Sequence, residues 1–146
     1  MRVPDCGCGP GTISIGLAEL IAPGEIHGID MEPSQIDMAR SIAEAGGHGH
    51  ATFHVGVVTD HPFEDDYSDL VHGHAIVTSV PDTRAVLAEV KRVLKPGGLV
   101  SAREANFGSS VLAPDYEVIG ESWAGLSEHI TAADGHPSIG KELKRH

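Results

Sequence analysis

The sequence predicts an α/β domain, a Rossmann-like doubly wound parallel sheet of about five strands. Three observations carry that expectation. Strand-like runs alternate with runs of helical apolar spacing along the chain. The first strand enters a glycine-rich turn, Gly7, Gly9 and Gly11, and passes straight into a helix. An acid, Asp30, closes the second strand 19 residues past Gly11.

Each element follows from local signals. A short strand ends near Asp5, and Ile13, Gly16, Leu17, Leu20 and Ile21 then recur at helical spacing, with Thr12 placed to cap and Pro23-Gly24 to stop the helix. Residues 25–30 form the second strand. Pro33 opens a helix through Ile36, Ala39 and Ala43 to Gly46-Gly47, because a proline's fixed φ and missing N–H suit a first helical position. Residues 52–58 are β-branched and aromatic enough for a third strand, and 70–74 give a short fourth. Asp82 is placed to cap a helix that aligns Val86, Leu87, Val90 and Leu94, with Lys91, Arg92 and Lys95 complementing the dipole at its end. Pro96-Gly97-Gly98 stops it, 99–103 form a fifth strand, and a loop with one or two irregular helices follows. Pro4 cannot donate to a sheet ladder, so the first strand is expected to begin late.

Composition narrows the function classes. The 146 residues carry 10 Lys and Arg against 21 Asp and Glu, a formal charge of −11, which argues against nucleic acid and anionic membranes as partners. No apolar run approaches the ~20 residues of a membrane span, and the N-terminus lacks the apolar stretch of a signal peptide. Cys6 and Cys8 are too close along an extended chain to bridge without distortion, so both are expected as reduced thiols in the cytoplasm.

The glycine turn is where the ligand chemistry concentrates. Glycines there let the backbone turn sharply and approach a ligand beside the positive end of a helix, and a carboxylate at Asp30 suits the two hydroxyls of a ribose. An ATPase phosphate loop would need a lysine after the glycines, and here Thr12 follows directly. A dinucleotide fingerprint wants its third glycine three places after the second; here it comes two after, which leaves an NAD-dependent oxidoreductase as the runner-up.

The segments VPDCGCGPGT, EIHGIDMEPSQIDMAR and VKRVLKPGGLVSARE resemble the class I S-adenosylmethionine-dependent methyltransferases, in particular the quinone-biosynthesis C-methyltransferase-like branch. The tail GHPSIGKEL is similar to a segment of a bacterial and fungal subgroup. The resemblance implies a strand order 3-2-1-4-5, S-adenosylmethionine as cofactor and a small organic molecule as methyl acceptor. It also implies that Asp5, Gly7, Gly9 and Gly11 line the methionine end of the cofactor, that Asp30 holds the ribose, and that the adenine lies against residues 57 and 58. The family pattern has an acceptor carboxylate where this chain has Val57, so a backbone N–H from Val58 is left to meet the ring, with Asp60 nearby.

Candidates for the chemistry sit beyond the carboxyl ends of the strands. His74 is the candidate general base, with His72, Glu104 and Asn106 in the same region. No metal site is expected: His48, His50 and His54 lie in or near a glycine-rich turn, and two thiols alone fall short of a tetrahedral set. The run Glu64-Asp65-Asp66 is expected as solvated surface, and Phe107, Tyr116 and Trp123 either wall a substrate pocket or pack as core. Against the family pattern, 1–146 reads as a single methyltransferase-like domain clipped at both ends, without the usual C-terminal antiparallel strands. That leaves a catalytically impaired cofactor-binding remnant or a partner-completed subunit as alternatives, and a fifth strand whose free edge invites self-association.

Overall fold

A computed structural model describes residues 1–111, 113–114 and 116–143. They divide into two compact units, Met1–His74 with Arg84–Ala102, and Ala75–Thr83 with the residues from Arg103 on. The first carries a five-stranded parallel sheet ordered β3-β2-β1-β4-β5, the order implied by the resemblance.

Strand β1 (Arg2–Cys6) pairs in parallel with β2 (Glu25–Asp30), Asp5 opposite Gly28 and Cys6 opposite Ile29. It does not begin late. Pro4 is buried mid-strand, and the register with β4 (Ser68–His74) covers Asp5 and Cys6, past the residue that cannot donate. Before the proline, the Arg2 N–H donates to Asp69 Oδ2 at 2.7 Å.

Helix α1 (Thr12–Ile21) differs from expectation in its cap and its buried face. Gly11 caps it, in the left-handed region with φ of 78°, and Thr12 is the first helical residue. Ser14, Ile15 and Ala18 are buried, while Leu20 is 82% exposed. The cause is Ser14: its hydroxyl donates to the buried Asp5 at 2.5 Å, which turns a polar position inward. Helix α2 (Pro33–Gly46) is as expected, with Pro33 in its first turn, Ile36, Ala39 and Ala43 buried, and Gly47 closing it with φ of 70°. Together Val3, Ile15, Ala18, Ile26, Ile36, Ala39 and Phe53 form the core under these two helices.

Strand β3 (Ala51–Val55) is shorter than expected; the chain leaves it at Gly56, and an isolated bridge joins Val57 to Asp60. Strand β4 starts two residues early, at the buried Ser68, whose hydroxyl donates to Val93 O at 2.8 Å. Helix α3 (Thr83–Val93) ends before Leu94, and β5 (Leu94–Arg103) starts there, so Pro96-Gly97-Gly98 lies inside the strand. The Lys95 ammonium reaching Asp69 Oδ1 at 2.6 Å draws that stretch against β4. Leu87 of α3 is exposed, and Val86, Glu89, Val90 and Val93 are buried.

In the second unit the Glu104 carboxylate accepts the N–H groups of Ile76, Val77 and Thr78 and the Thr78 hydroxyl. Helix α4 (Glu117–Ala132) places Trp123 against Phe107, ring centroids 4.6 Å apart, while Tyr116 is exposed. The tail segment is bound into this unit: His136 N–H donates to Thr78 O, Phe107 N–H to Pro137 O and Gly140 N–H to Ala105 O. Among the described residues, no helix is long and apolar enough to cross a membrane.

Candidate functional site

The site is built where β1 and β2 end. Gly7 and Cys8 both donate their N–H groups to Ile29 O, at 2.8 and 3.0 Å, and Gly11 N–H returns to Cys8 O at 3.0 Å, so the turn is folded back on the end of β2. Asp30 then joins it directly. Oδ2 accepts the Gly9 N–H at 2.9 Å, and Oδ1 accepts the Glu32 N–H at 3.0 Å. A carboxylate has about four acceptor positions, so each oxygen retains one for a ligand hydroxyl.

Gly7, Gly9 and Gly11 have φ of 66°, 52° and 78°. At Gly11 a side chain is excluded twice over, by that conformation and by close approach. A Cβ there would stand 2.7 Å from the Phe53 ring and 2.9 Å from the Ala39 methyl. At Gly9 the nearest atom to such a Cβ is Gln35 Oε1 at 3.9 Å, so the turn is open on that side.

Asp5 lies beneath the turn, 2% exposed, and orients the first turn of α1 through Ser14. Burial raises its pKa, against the opposing pull of the Ser14 hydrogen bond and of His72 and His74. His74 closes β4 and is half-buried. His72 turns its Nδ1 to Ser101 Oγ at 3.1 Å, and its buried Nε2 has no hydrogen-bond partner among the described residues. Beyond β3, Val57 is 46% exposed and Val58 half-buried, and Asp60 N–H donates to Val57 O at 3.1 Å. Glu104 and Asn106 belong to the second unit, Glu104 as the clasp on residues 76–78.

The cysteines are free and buried, and burial, reinforced by Asp5, pushes both thiols up to about 12. Both are therefore poor nucleophiles at neutral pH. Cys6 Sγ lies 3.4 Å from His61 Nε2. Among the described residues, no group of three or more His, Cys, Asp or Glu stands where it could hold a metal ion. His54 is drawn away from His48 into a cluster with His27, Phe63 and Tyr67, which sequence reasoning missed because its members come from β2, β3 and a loop. His27 bonds Tyr67 OH through Nε2 at 2.9 Å and Thr52 Oγ1 through Nδ1 at 2.7 Å.

Burial lowers the pKa of His27, His54 and His61 below the ordinary histidine value. A depressed folded-state pKa gives stability that is present above the unfolded value, about 6.5, and lost as pH falls through the folded one. Denaturant melts are expected to show stability falling from pH 7 to pH 5, less steeply in His61→Gln. A flat profile in that window would contradict the assignment.

Two further features escaped sequence reasoning. Asp65 is not simply solvated but ion-paired to Arg92 at 2.8 Å, and Glu89 of α3 is buried against the same guanidinium. The i, i+3 spacing of Glu89 and Arg92 was the available signal, and it reads as an ordinary helix-surface pair.

The turn contributes two acids, Asp5 and Asp30, and no cation, and no side chain caps the start of α1. A family model described as a methyltransferase domain matches residues 1–136. An uncharacterized methyltransferase of Schizosaccharomyces pombe is 30% identical over 152 residues, covering 98% of this chain and 53% of that protein. Demethylmenaquinone methyltransferase of Bacillus pumilus is 32% identical over 103 residues, 70% of this chain and 44% of that protein. Among solved structures, a SAM-dependent methyltransferase from Methanosarcina mazei superposes with a TM-score of 0.61 at 35% identity, covering 68% of this chain and 50% of that one. The sheet order and these similarities together place the chain among the class I S-adenosylmethionine-dependent methyltransferases. The chain belongs to the methyltransferase domain family and spans about half the length of the curated relatives it matches.

Proposed function

We propose that residues 1–146, acting as one methyltransferase domain, bind S-adenosylmethionine at the glycine turn and Asp30 and transfer its methyl group to a small organic acceptor. The observation that carries this is the hydrogen bond from Gly9 N–H to Asp30, which sets a carboxylate with free acceptor positions against the open side of the turn. When bound, the cofactor supplies a methyl group already activated on a sulfonium centre. The protein's share is then positioning in a dry pocket.

In this proposal Asp30 accepts from the two ribose hydroxyls, while Gly7, Gly9 and Gly11 let the backbone approach the methionine end, with Asp5 holding α1 beneath them through Ser14. Val57 and Val58 take the adenine side. His74 serves as general base for acceptors that must lose a proton. A small acceptor is supported by the name of the demethylmenaquinone enzymes and by the charge of −11, which disfavours nucleic acid. Two reduced, buried thiols suit a reducing compartment such as the cytoplasm. S-adenosylhomocysteine is expected to raise the melting temperature by mass action, and NAD to leave it unchanged. The reverse order would favour the oxidoreductase alternative.

An exposed aliphatic side chain at residue 57 favours the second alternative, a cofactor-binding remnant with weakened adenine contacts. Val57→Asp is expected to tighten S-adenosylhomocysteine binding by about 1 kcal/mol, the net worth of one hydrogen bond. Equal or weaker affinity by titration would remove Val57 from the adenine edge.

The sheet edge also enters the proposal. Leu99 is 65% exposed on β5, an edge strand of the sheet, beside a groove of about 450 Å³ in which Leu87, Leu94 and Val100 are flanked by Asp66, Lys91 and Lys95. Among the described residues no strand pairs with the outer edge of β5, and such an edge templates pairing with a second copy. Light scattering after size exclusion should show self-association that Val100→Lys weakens, and a monodisperse monomer would contradict it.

A further inference from the structure

Beyond the residues that would touch the cofactor, one side chain in the last turn of α3 governs the loop between β3 and β4. Arg92 directs all five of its N–H donors to protein acceptors. Two grip Glu89, from Nε to Oε2 at 2.8 Å and from Nη2 to Oε1 at 2.6 Å. The other contacts reach into the loop: Nη1 to Phe63 O at 2.9 Å and to Asp65 Oδ1 at 2.8 Å, and Nη2 to His61 O at 3.4 Å. Glu89 Oε1 in turn accepts the buried His61 N–H at 2.7 Å. An ion pair serving only its own helix would not engage two loop carbonyls and a loop amide.

The loop held in this way begins with the residues of the adenine side. His61 follows Asp60, whose N–H closes the turn on Val57, and the His61 ring lies 3.4 Å from Cys6 at the entrance to the glycine turn. Fixing His61 from α3 therefore fixes the turn 57–60 on one side and its approach to the glycine turn on the other. We propose that Arg92, with Glu89 as its partner, is a positioning residue for cofactor binding, setting residues 57–61 at the distance from the glycine turn that an adenosyl group requires. This rests on the cofactor assignment above.

The test compares Arg92→Gln, Arg92→Lys and a control, Lys95→Gln, which removes a neighbouring ion pair to Asp69 without touching the loop. Hydrogen exchange of the ligand-free proteins, below the melting range of each, should show residues 57–66 exchanging at least about tenfold faster in both Arg92 variants, with α1 and α2 unchanged. Titration with S-adenosylhomocysteine should show affinity falling about tenfold or more in Arg92→Gln. Arg92→Lys should recover little of it, since an ammonium cannot reproduce the fork. Lys95→Gln should bind as the parent does. Unchanged loop exchange would overturn the proposal, as would a freed loop with affinity within twofold of the parent. The exchange experiment needs no ligand. A parent protein that fails to bind S-adenosylhomocysteine would instead overturn the cofactor assignment, and with it the cofactor role of Arg92.

Discussion

Replacing Asp30 with alanine is expected to weaken S-adenosylhomocysteine binding at least about a hundredfold, since hydrogen bonds to a charged group contribute roughly 1.5–3 kcal/mol each and the ribose offers two. The ligand-free protein should also melt earlier, because the Gly9 and Glu32 N–H groups lose their acceptor. Asp30→Asn separates the effects. Its amide oxygen still accepts from one of those N–H groups, so the melt should recover in part while binding stays low. Retention of affinity within threefold in Asp30→Ala, measured by titration on folded protein, would remove Asp30 from the ribose.

Gly11→Ala should produce the largest loss of stability of any single methyl addition in the turn. The left-handed backbone costs a non-glycine residue about 1–3 kcal/mol, and overpacking against Phe53 and Ala39 adds a comparable amount. Against a total stability of roughly 5–15 kcal/mol, the folded population falls sharply. Gly16→Ala is the internal control, five residues along in α1 with nothing within 4 Å of the added methyl. It should stabilise by about 0.5–1 kcal/mol through helix propensity. Denaturant melts of the pair with opposite signs would support the close packing of turn, Phe53 and α2; equal effects would contradict it.

What the sequence made legible was set by how local each signal is. Helix α2 is announced by Pro33, by Ile36, Ala39 and Ala43 on one face and by Gly46-Gly47, all within one element, and it forms as expected. The meeting of the glycine turn with Asp30 was legible too, because a βαβ unit brings the ends of adjacent strands together. Apolarity alone misplaces the buried face of helix α1, which holds Ser14, Ile15 and Ala18. Ser14 is buried for a reason lying nine residues earlier, in Asp5. The start of β5 was hidden by Pro96-Gly97-Gly98, a strong local stop overridden by a contact from Lys95 to Asp69, 26 residues away. The loop contacts of Arg92 and the bonds of His27 to Thr52 and Tyr67 were invisible for the same reason, since those partners lie 25 to 40 residues distant.

In the proposed function the glycine turn and Asp30 form an adenosyl sulfonium site. Calorimetric titration of the unmodified chain with S-adenosylmethionine, S-adenosylhomocysteine and NAD, under one buffer condition, tests it most directly. Saturable one-to-one binding of both adenosyl ligands, lost in Asp30→Ala and absent with NAD, is the predicted result. Binding of NAD alone, or no heat with any of the three from a protein that melts cooperatively, would contradict it.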